Sequence, residues 1–492
     1  DSPMMNRMLA FEWRALRADR AAALVAVVYT LVLAYALWNG WNWTRFQQHT
    51  LTQIDEEESL RLTEMADQIR MIEAKGLKVP SHSDPRLPGA VGMGSGALHA
   101  KLPPHPLALL SIGQSDLQPY YYRVTTRGRT AMPGSDEIEN PLHLLSGRFD
   151  ISFAIVFLLP LMVLALSYNL LSGERENGTL AIVMSNPVPL ARILTAKLTV
   201  RAGLVSAVIA TAAIVALALS GDVASVLLWT LAVIAYAAFW FAVAVAVNAR
   251  GKASAANAVT LAVIWLGFVL LLPLTASVAA QSIYPVPSRV EMIQAMRAAT
   301  NEANRAGAKV LAQFFEEHPD LAPAGGQVDP SDFMARYYAV QNNVESRMRP
   351  VLDSYDRQLE NQQALAATFR FLSPAILMQE TLNDISGTSA HRYRHFRSQV
   401  DRYQAEWQNW FTPKIFRQVR FAADDLSALP RFRYVPEPFA DTASRVSLSI
   451  AVMLALAAGL FALTTGSLRR YAVLGALALL MILGAPHAAL AQ

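Results

Sequence analysis

The sequence predicts an all-α polytopic membrane protein: a six-helix transmembrane domain with an interfacial N-terminal helix, plus an extracytoplasmic, mainly helical domain. Three observations carry this. Charged residues make up only 16% of the 492, against about 25% in soluble domains, and mean hydropathy is +0.27. The shortfall sits in runs long enough to cross a bilayer core, which takes roughly 20 apolar residues as helix. Between those runs lie two long segments, and the second repeats its apolar residues with a helical period.

The same composition excludes other classes. There is no cysteine, which removes disulfides and thiolate metal sites. The net charge of +4 does not point to nucleic acid, because Arg and Lys gather beside apolar runs, where membrane topology places them. The bilayer is the expected surroundings. Asp1-Ser2-Pro3, ahead of Met4-Met5, reads as a cloning remnant.

Residues 4–20 alternate Arg with large apolar side chains. Met8, Leu9, Trp13 and Leu16 suit one side of a helix, and Arg7, Arg14 and Arg17 fall on another. That pattern fits a helix lying in the interface, and equally a basic flank to the first span. Span 1 covers 21–43, its end marked by Trp38, Trp41 and Trp43. Four arginines precede it, which places the N-terminus in the cytoplasm.

Residues 44–148 then form a first extracytoplasmic segment. It is helical to about Lys75 and stops at Gly76. From Val79 it turns to the Pro, Gly and Ser of loop chemistry. Gly92-Met-Gly-Ser-Gly lacks the Lys-Ser/Thr ending of a phosphate loop and reads as flexible linker, as do the surroundings of His82, His99 and His105. Residues 149–280 hold spans 2 to 5, at 149–171, 199–219, 223–247 and 256–280. Pro160 falls inside span 2, where a neighbouring helix must satisfy the group it frees.

The second extracytoplasmic segment, 281–443, predicts a helical bundle. Ser288 and Glu291 form a capping box for a helix to about Glu317. From Phe333 through Tyr337, Val340, Val344, Met348, Val351 and Tyr355 to Leu359 the apolar steps are threes and fours, a coiled-coil-like seam. A helix from Pro374 ends near Gly387, and another begins near Ser389. Span 6 covers 444–466. The apolar tail 467–492 reads as a short seventh segment or an interfacial strip.

The chain carries no energy source of its own. An ion-driven transporter needs ionisable groups within its spans, and these runs hold essentially none. No Walker A pattern occurs. His391 and His395 have the i, i+4 spacing of zinc ligands, but Arg392 stands where a zinc protease carries its glutamate, and no metal is expected. If the chain is an active transporter, its energy must enter from a partner, through a short polar contact tied rigidly to the spans. Residues 172–198 answer that description: a charged turn, a short helix at about 179–185 closed by Asn186-Pro187, then a helix from Leu190 into span 3.

This stretch resembles a known family. Gly173-Glu-Arg-Glu-Asn-Gly-Thr-Leu180, then Ser185-Asn-Pro-Val-Pro189 and Ile193-Leu-Thr-Ala-Lys-Leu198, is similar to the signature of ABC-2 type permeases, the membrane subunits of a class of ATP-binding-cassette transporters. The N-terminal stretch with Phe11, Trp13, Arg14 and Arg17 resembles their interfacial helix. The long segments after spans 1 and 5 resemble a bacterial subgroup with large extracytoplasmic insertions. The apolar tail departs from the six-span pattern.

The resemblance implies that 172–198 is a coupling helix seated on an ATPase subunit. Glu174, Arg175, Glu176, Gly178, Thr179 and Leu180 are then the ATPase-coupling residues. The two glutamates would orient a helix N-terminus or pair with basic residues on the partner. Gly178 would serve close approach or a positive φ. The implied partners are two ABC ATPase subunits, a second permease copy or a sister permease, and a periplasmic or outer-membrane protein. ATP and Mg would be bound by the ATPase, with no cofactor and no catalysis in this chain. The implied location is the bacterial inner membrane, with both large segments periplasmic and export or extraction favoured. Two rival readings stand beside this: a membrane-anchored scaffold or sensor, and a membrane enzyme acting at His391 and His395.

Overall fold

The computed structural model describes residues 2–80, 83–127, 149–179, 190–285, 289–321 and 333–483. Among these the fold is all-α apart from one antiparallel pair, β1 (Leu98–Lys101) and β2 (Tyr121–Val124), in which Leu98 faces Val124 and Lys101 faces Tyr121. Six helices are long and apolar enough to cross a membrane. The protein is a multi-pass helical membrane protein.

Helix α1 (Ser2–Ala18) is separated from α2 (Arg20–Lys75) by Asp19, whose carboxylate caps α2 through the amides of Ala21 and Ala22. Helix α2 is span 1 and more. Its 56 residues make a rod of about 84 Å at 1.5 Å per residue, so more than half of it stands clear of a hydrocarbon core of about 30 Å. The stretch expected to be helical to about Lys75 is continuous with span 1 and ends at Gly76 in the left-handed conformation (φ 57°).

Span 2 is α3 (Ile151–Glu176, with a turn at 168–171), span 3 is α4 (Leu190–Ser220), span 4 is α5 (Val223–Asn248) and span 5 is α6 (Ser254–Ile283). Helix α5 is the axis of the bundle. Its Trp229, Tyr236 and Trp240 are fully buried, and alanines 232, 235, 242 and 244 let neighbouring backbones approach closely. The large side chains of α2 and α6 that point outward, among them Leu24, Leu31, Val259, Val263 and Leu274, are apolar and suit lipid.

The long polar segments fold together. Their helices are α7 (Arg289–Arg305), α8 (Gly307–Glu317), α9 (Phe333–Phe369), α10 (Pro374–Ile385) and α11 (Ala390–Phe416). A second hydrophobic core joins α8, α9 and α11 to Met65 and Ile69 of α2, to Val91 and to both strands. Gly92 lies inside it. The indole of Trp407 donates to its carbonyl at 3.2 Å, and a Cβ there would meet the Phe411 ring at 2.6 Å. The reading of residues 92–96 as flexible linker is therefore corrected: Gly92 is small so that α11 can press on it, and Gly96 packs on Val91. His99 is likewise in β1, its Nδ1 2.8 Å from Glu58, and His105 is packed against Gly387. His82 lies outside the described residues.

Further expectations change. The helix expected as continuous to Glu317 is broken at Ala306 into α7 and α8; Ser288, its expected cap, lies outside the described residues. The α9 seam is buried only in its first half, at Val340, Val344 and Met348, while Val351 and Leu359 are exposed. That second half lies beside the end of span 5, where Gln362 donates to the carbonyl of Tyr284 at 2.7 Å. Helix α10 does not join the outer core. Its Ala375, Leu377, Met378, Leu382 and Ile385 belong to the core of the spans. Finally, α12 (Phe439–Leu483) carries span 6 and runs unbroken through Arg470, so the apolar residues to Leu483 prolong that helix and form no separate seventh segment; 484–492 lie outside the described residues.

Residues 107–116 form a collar over the outer ends of spans 1 and 2. Asp150, the cap of span 2, accepts from the amides of Phe153 at 2.6 Å and Ile112 at 2.8 Å, and Trp43 donates to Ser115 at 3.1 Å. His105 flanks the collar. Burial first, and then the charge of Arg392, push its imidazole down to about 4, with Asp222 opposing. The Leu107 amide donates to its Nδ1 at 3.2 Å, which needs the neutral ring.

The unfolded chain takes up this proton below about 6.5 and the folded chain does not until about 4. Stability therefore falls as pH drops through that window, by on the order of 3 kcal/mol at its lower end. Thermal unfolding in detergent at pH 7 and pH 4.5 checks this. The drop should shrink in His105→Asn, whose side-chain oxygen accepts from the same amide without titrating.

Candidate functional site

The stretch from Ser172 to Thr179, the start of span 3 and helix α1 meet on the face opposite the collar. Lys197, on the second turn of α4, is the hub. Its ammonium lies 2.8 Å from Glu174 and 3.4 Å from Glu12 of α1. Arg201, one turn on, is 3.9 Å from the other oxygen of Glu12 and donates to the Leu166 carbonyl at 2.6 Å. Thr179 closes the chain by donating its hydroxyl to Glu174. Lys197 is only 7% exposed, so this is a desolvated charge cluster whose members need one another. The expectation that the spans hold essentially no ionisable group is corrected here. Span 3 begins earlier than its apolar run, and its first turns carry Lys197 and Arg201, paired with Glu12 and Glu174.

A second set of links ties the same stretch to span 5. Both carboxylate oxygens of Glu176 are used by Ser254, from its amide at 2.7 Å and its hydroxyl at 2.8 Å, so Glu176 caps α6. Arg175 donates to the carbonyl of Gly251, and the hydroxyls of Ser172 and Ser254 are 2.8 Å apart. Behind them the buried Asn248 donates to the carbonyls of Ser167 and Ala244, each at 2.9 Å. Span 2 thus ends in a knot with the span 4–span 5 turn.

Each sequence-derived site residue has a place. Glu174 and Glu176 both have partners within the chain, one in Lys197 and one at the start of span 5. Arg175 is exposed beside them. Gly178 has φ 71°, a left-handed turn that favours glycine, and open space within the chain around its Cβ position. Thr179 is the described end of the stretch. Leu180, the 179–185 helix and Asn186-Pro187 lie outside the described residues.

On α1, Phe11, Trp13, Arg14 and Arg17 are all exposed, with Arg17 over the Trp13 ring at 5.2 Å. Trp13 does not share the face of Met8, Leu9 and Leu16, as its spacing suggested. The partly buried face is Met5, Met8, Leu9, Glu12 and Leu16. Glu12 was missed. The available signal was a lone acid on an arginine-rich helix, one turn before Leu16.

His391 and His395 turn to different partners: Nδ1 of His391 is 2.9 Å from Glu437, and Nε2 of His395 is 3.0 Å from the Val435 carbonyl. Among the described residues there is no group of three or more side chains suited to a metal ion.

Residues 289–435 match a family described as a domain of unknown function, DUF3526. The match takes in α7 to α11 and stops before span 6. No curated protein and no solved structure matches the chain.

Proposed function

We propose that this chain is the permease subunit of an ATP-binding-cassette transporter of the ABC-2 type, working as a pair with a second copy or a sister subunit. Two separate ATPase subunits bind ATP and Mg and dock on the face that carries α1 and residues 172–198. The chain performs no chemistry itself. On this reading the membrane is the bacterial inner membrane, the docking face is cytoplasmic, and the domain built on residues 289–435 stands in the periplasm. Export or extraction fits such a domain better than uptake, because it offers a place for handover to an envelope protein.

The observation that carries the reading is the double linkage of one short stretch. Glu174 holds span 3 and, through Lys197, α1; Glu176 holds the start of span 5. A push on residues 172–179 therefore reaches spans 2, 3 and 5 and α1 together, which is what a rigid lever at a membrane boundary requires. The signature glutamates serve the lever's rigidity.

The double substitution Glu174→Ala, Glu176→Ala is expected to leave the complex assembled while transport per ATP hydrolysed falls at least about tenfold, the loss of one charge-assisted contact at each end of the lever. Hydrolysis and transport measured on reconstituted complex check this. Unchanged stoichiometry would sink the lever. Purification of the chain from native membranes free of any ATPase would favour the scaffold or sensor reading.

A further inference from the structure

Spans 2 and 5 share an irregularity. Each contains a π-helical segment, Ala154–Leu158 in span 2 and Leu266–Leu271 in span 5, followed two residues later by a proline, Pro160 and Pro273. Such a pairing marks where a helix bends. A proline in a helix leaves a carbonyl without its donor, and inside a membrane that carbonyl must find another.

In span 2 the Leu159 amide bonds to Ala154, five residues back, and among the carbonyls beside this break Val156 accepts from Tyr236 of span 4 at 2.9 Å. In span 5 the Leu272 amide bonds to Gly267, five residues back. The next carbonyl in that register, Phe268, would go to Pro273, which has no N–H. Its donor is the hydroxyl of Ser373, at 2.7 Å.

Ser373 is not on a span. It is the N-cap of α10, within residues 289–435, and is fully buried. Helix α10 packs against both π segments as well as α5 and α12. Its far end is held to the collar, where Ser111 donates to Asn383 at 2.7 Å. Both ends are chain breaks: a 3-10 turn at Arg370–Leu372, and Gly387 with φ 64°.

We infer that α10 is a wedge by which the 289–435 domain holds spans 2 and 5 in their bent form, and that Ser373 is the positioning residue that sets the register of span 5. The inference rests on this hinge geometry and not on the transport reading. Withdrawal of α10 strands the Phe268 carbonyl, and span 5 must then change register to satisfy it. Whatever displaces the outer domain thereby reaches the membrane helices.

The test is hydrogen–deuterium exchange on the full chain in nanodiscs. Ser373→Gly keeps an acceptable N-cap but loses the donor; Ser373→Thr keeps both. The glycine variant should exchange about tenfold faster across residues 266–276, as expected for one stranded buried acceptor, with α8 and α11 unchanged and the threonine variant like the parent. Pro273→Ala returns an N–H to span 5, so Ser373→Gly with Pro273→Ala should restore slow exchange. This rescue also decides the matter if the single glycine variant does not fold. Exchange at 266–276 unaltered in Ser373→Gly overturns the inference, as does failure of Pro273→Ala to rescue it.

Discussion

Replacing Lys197 by methionine is expected to destabilise the protein by about 3–5 kcal/mol and to release α1 from the spans. The magnitude is that of removing one partner from a buried charge cluster. Methionine fills a similar volume, so packing is nearly kept and the loss is electrostatic. Two carboxylates, Glu12 and Glu174, would then face each other across the space Lys197 occupied, with side chains only 12% and 26% exposed. Arg201 stays with Glu12, at 3.9 Å, and Glu174 loses the ion pair that Lys197 gave it. The thermal midpoint reads the stability, and trypsin cleavage at Arg14 and Arg17 reads the release of α1. Lys197→Arg, which keeps the charge, should differ little from the parent. A methionine variant with an unchanged midpoint and a protected α1 would show that the cluster is solvated and weak. Because apolar side chains can replace a buried ionic pair with little loss, Lys197→Met with Glu174→Leu, which leaves Glu12 to Arg201, should recover most of the stability.

Gly40→Ala is expected to cost about 3 kcal/mol or more, at the upper end for overpacking. A Cβ at Gly40 would lie 2.0 Å from the carbonyl oxygen of Leu109, where even a weak C–H···O contact needs about 3.3 Å. The obstacle is backbone and has no rotamer to change, so α2 and the collar must separate by about 1 Å or more. That strains the bonds beside it, from Trp43 to Ser115 at 3.1 Å and from Asn39 to the Phe149 carbonyl at 2.7 Å. Thermal unfolding together with exchange at residues 107–116 reads the effect, and loosening should centre on the collar. A neutral Gly40→Ala would mean that the collar does not press on span 1. Gly459, with open space around its Cβ position, is the matched control.

The membrane part was legible because lipid imposes a one-dimensional rule: a run of apolar residues of the right length is a span whatever it packs against. Local chemistry was equally readable where a residue acts on its own neighbourhood, as with Gly76 ending α2 and the helix starts at Pro374 and near Ser389. What stayed hidden depends on contacts between distant residues. The sequence around Gly92 reads as loop until Trp407, 315 positions away, is placed on its carbonyl. Helix α10 carries the same mixture of apolar and polar residues as other outer helices, and only its neighbours show that it sits among the spans. The candidate site divides in the same way. Its signature was visible, but its working contacts were not, since Glu12 meets Lys197 from 185 residues away, and no periodicity records that.

The central claim is that ATPase subunits seat on residues 172–179 and α1. A photo-crosslinking amino acid at Asn177 and at Trp13, both exposed on that face, with Leu60 on the far part of α2 as control, tests it in native membranes. The account predicts that the first two positions crosslink to a protein carrying a nucleotide-binding P-loop, identified by mass spectrometry, and that Leu60 does not. Crosslinks to that protein from Leu60 alone, or none from Asn177 and Trp13, would contradict it.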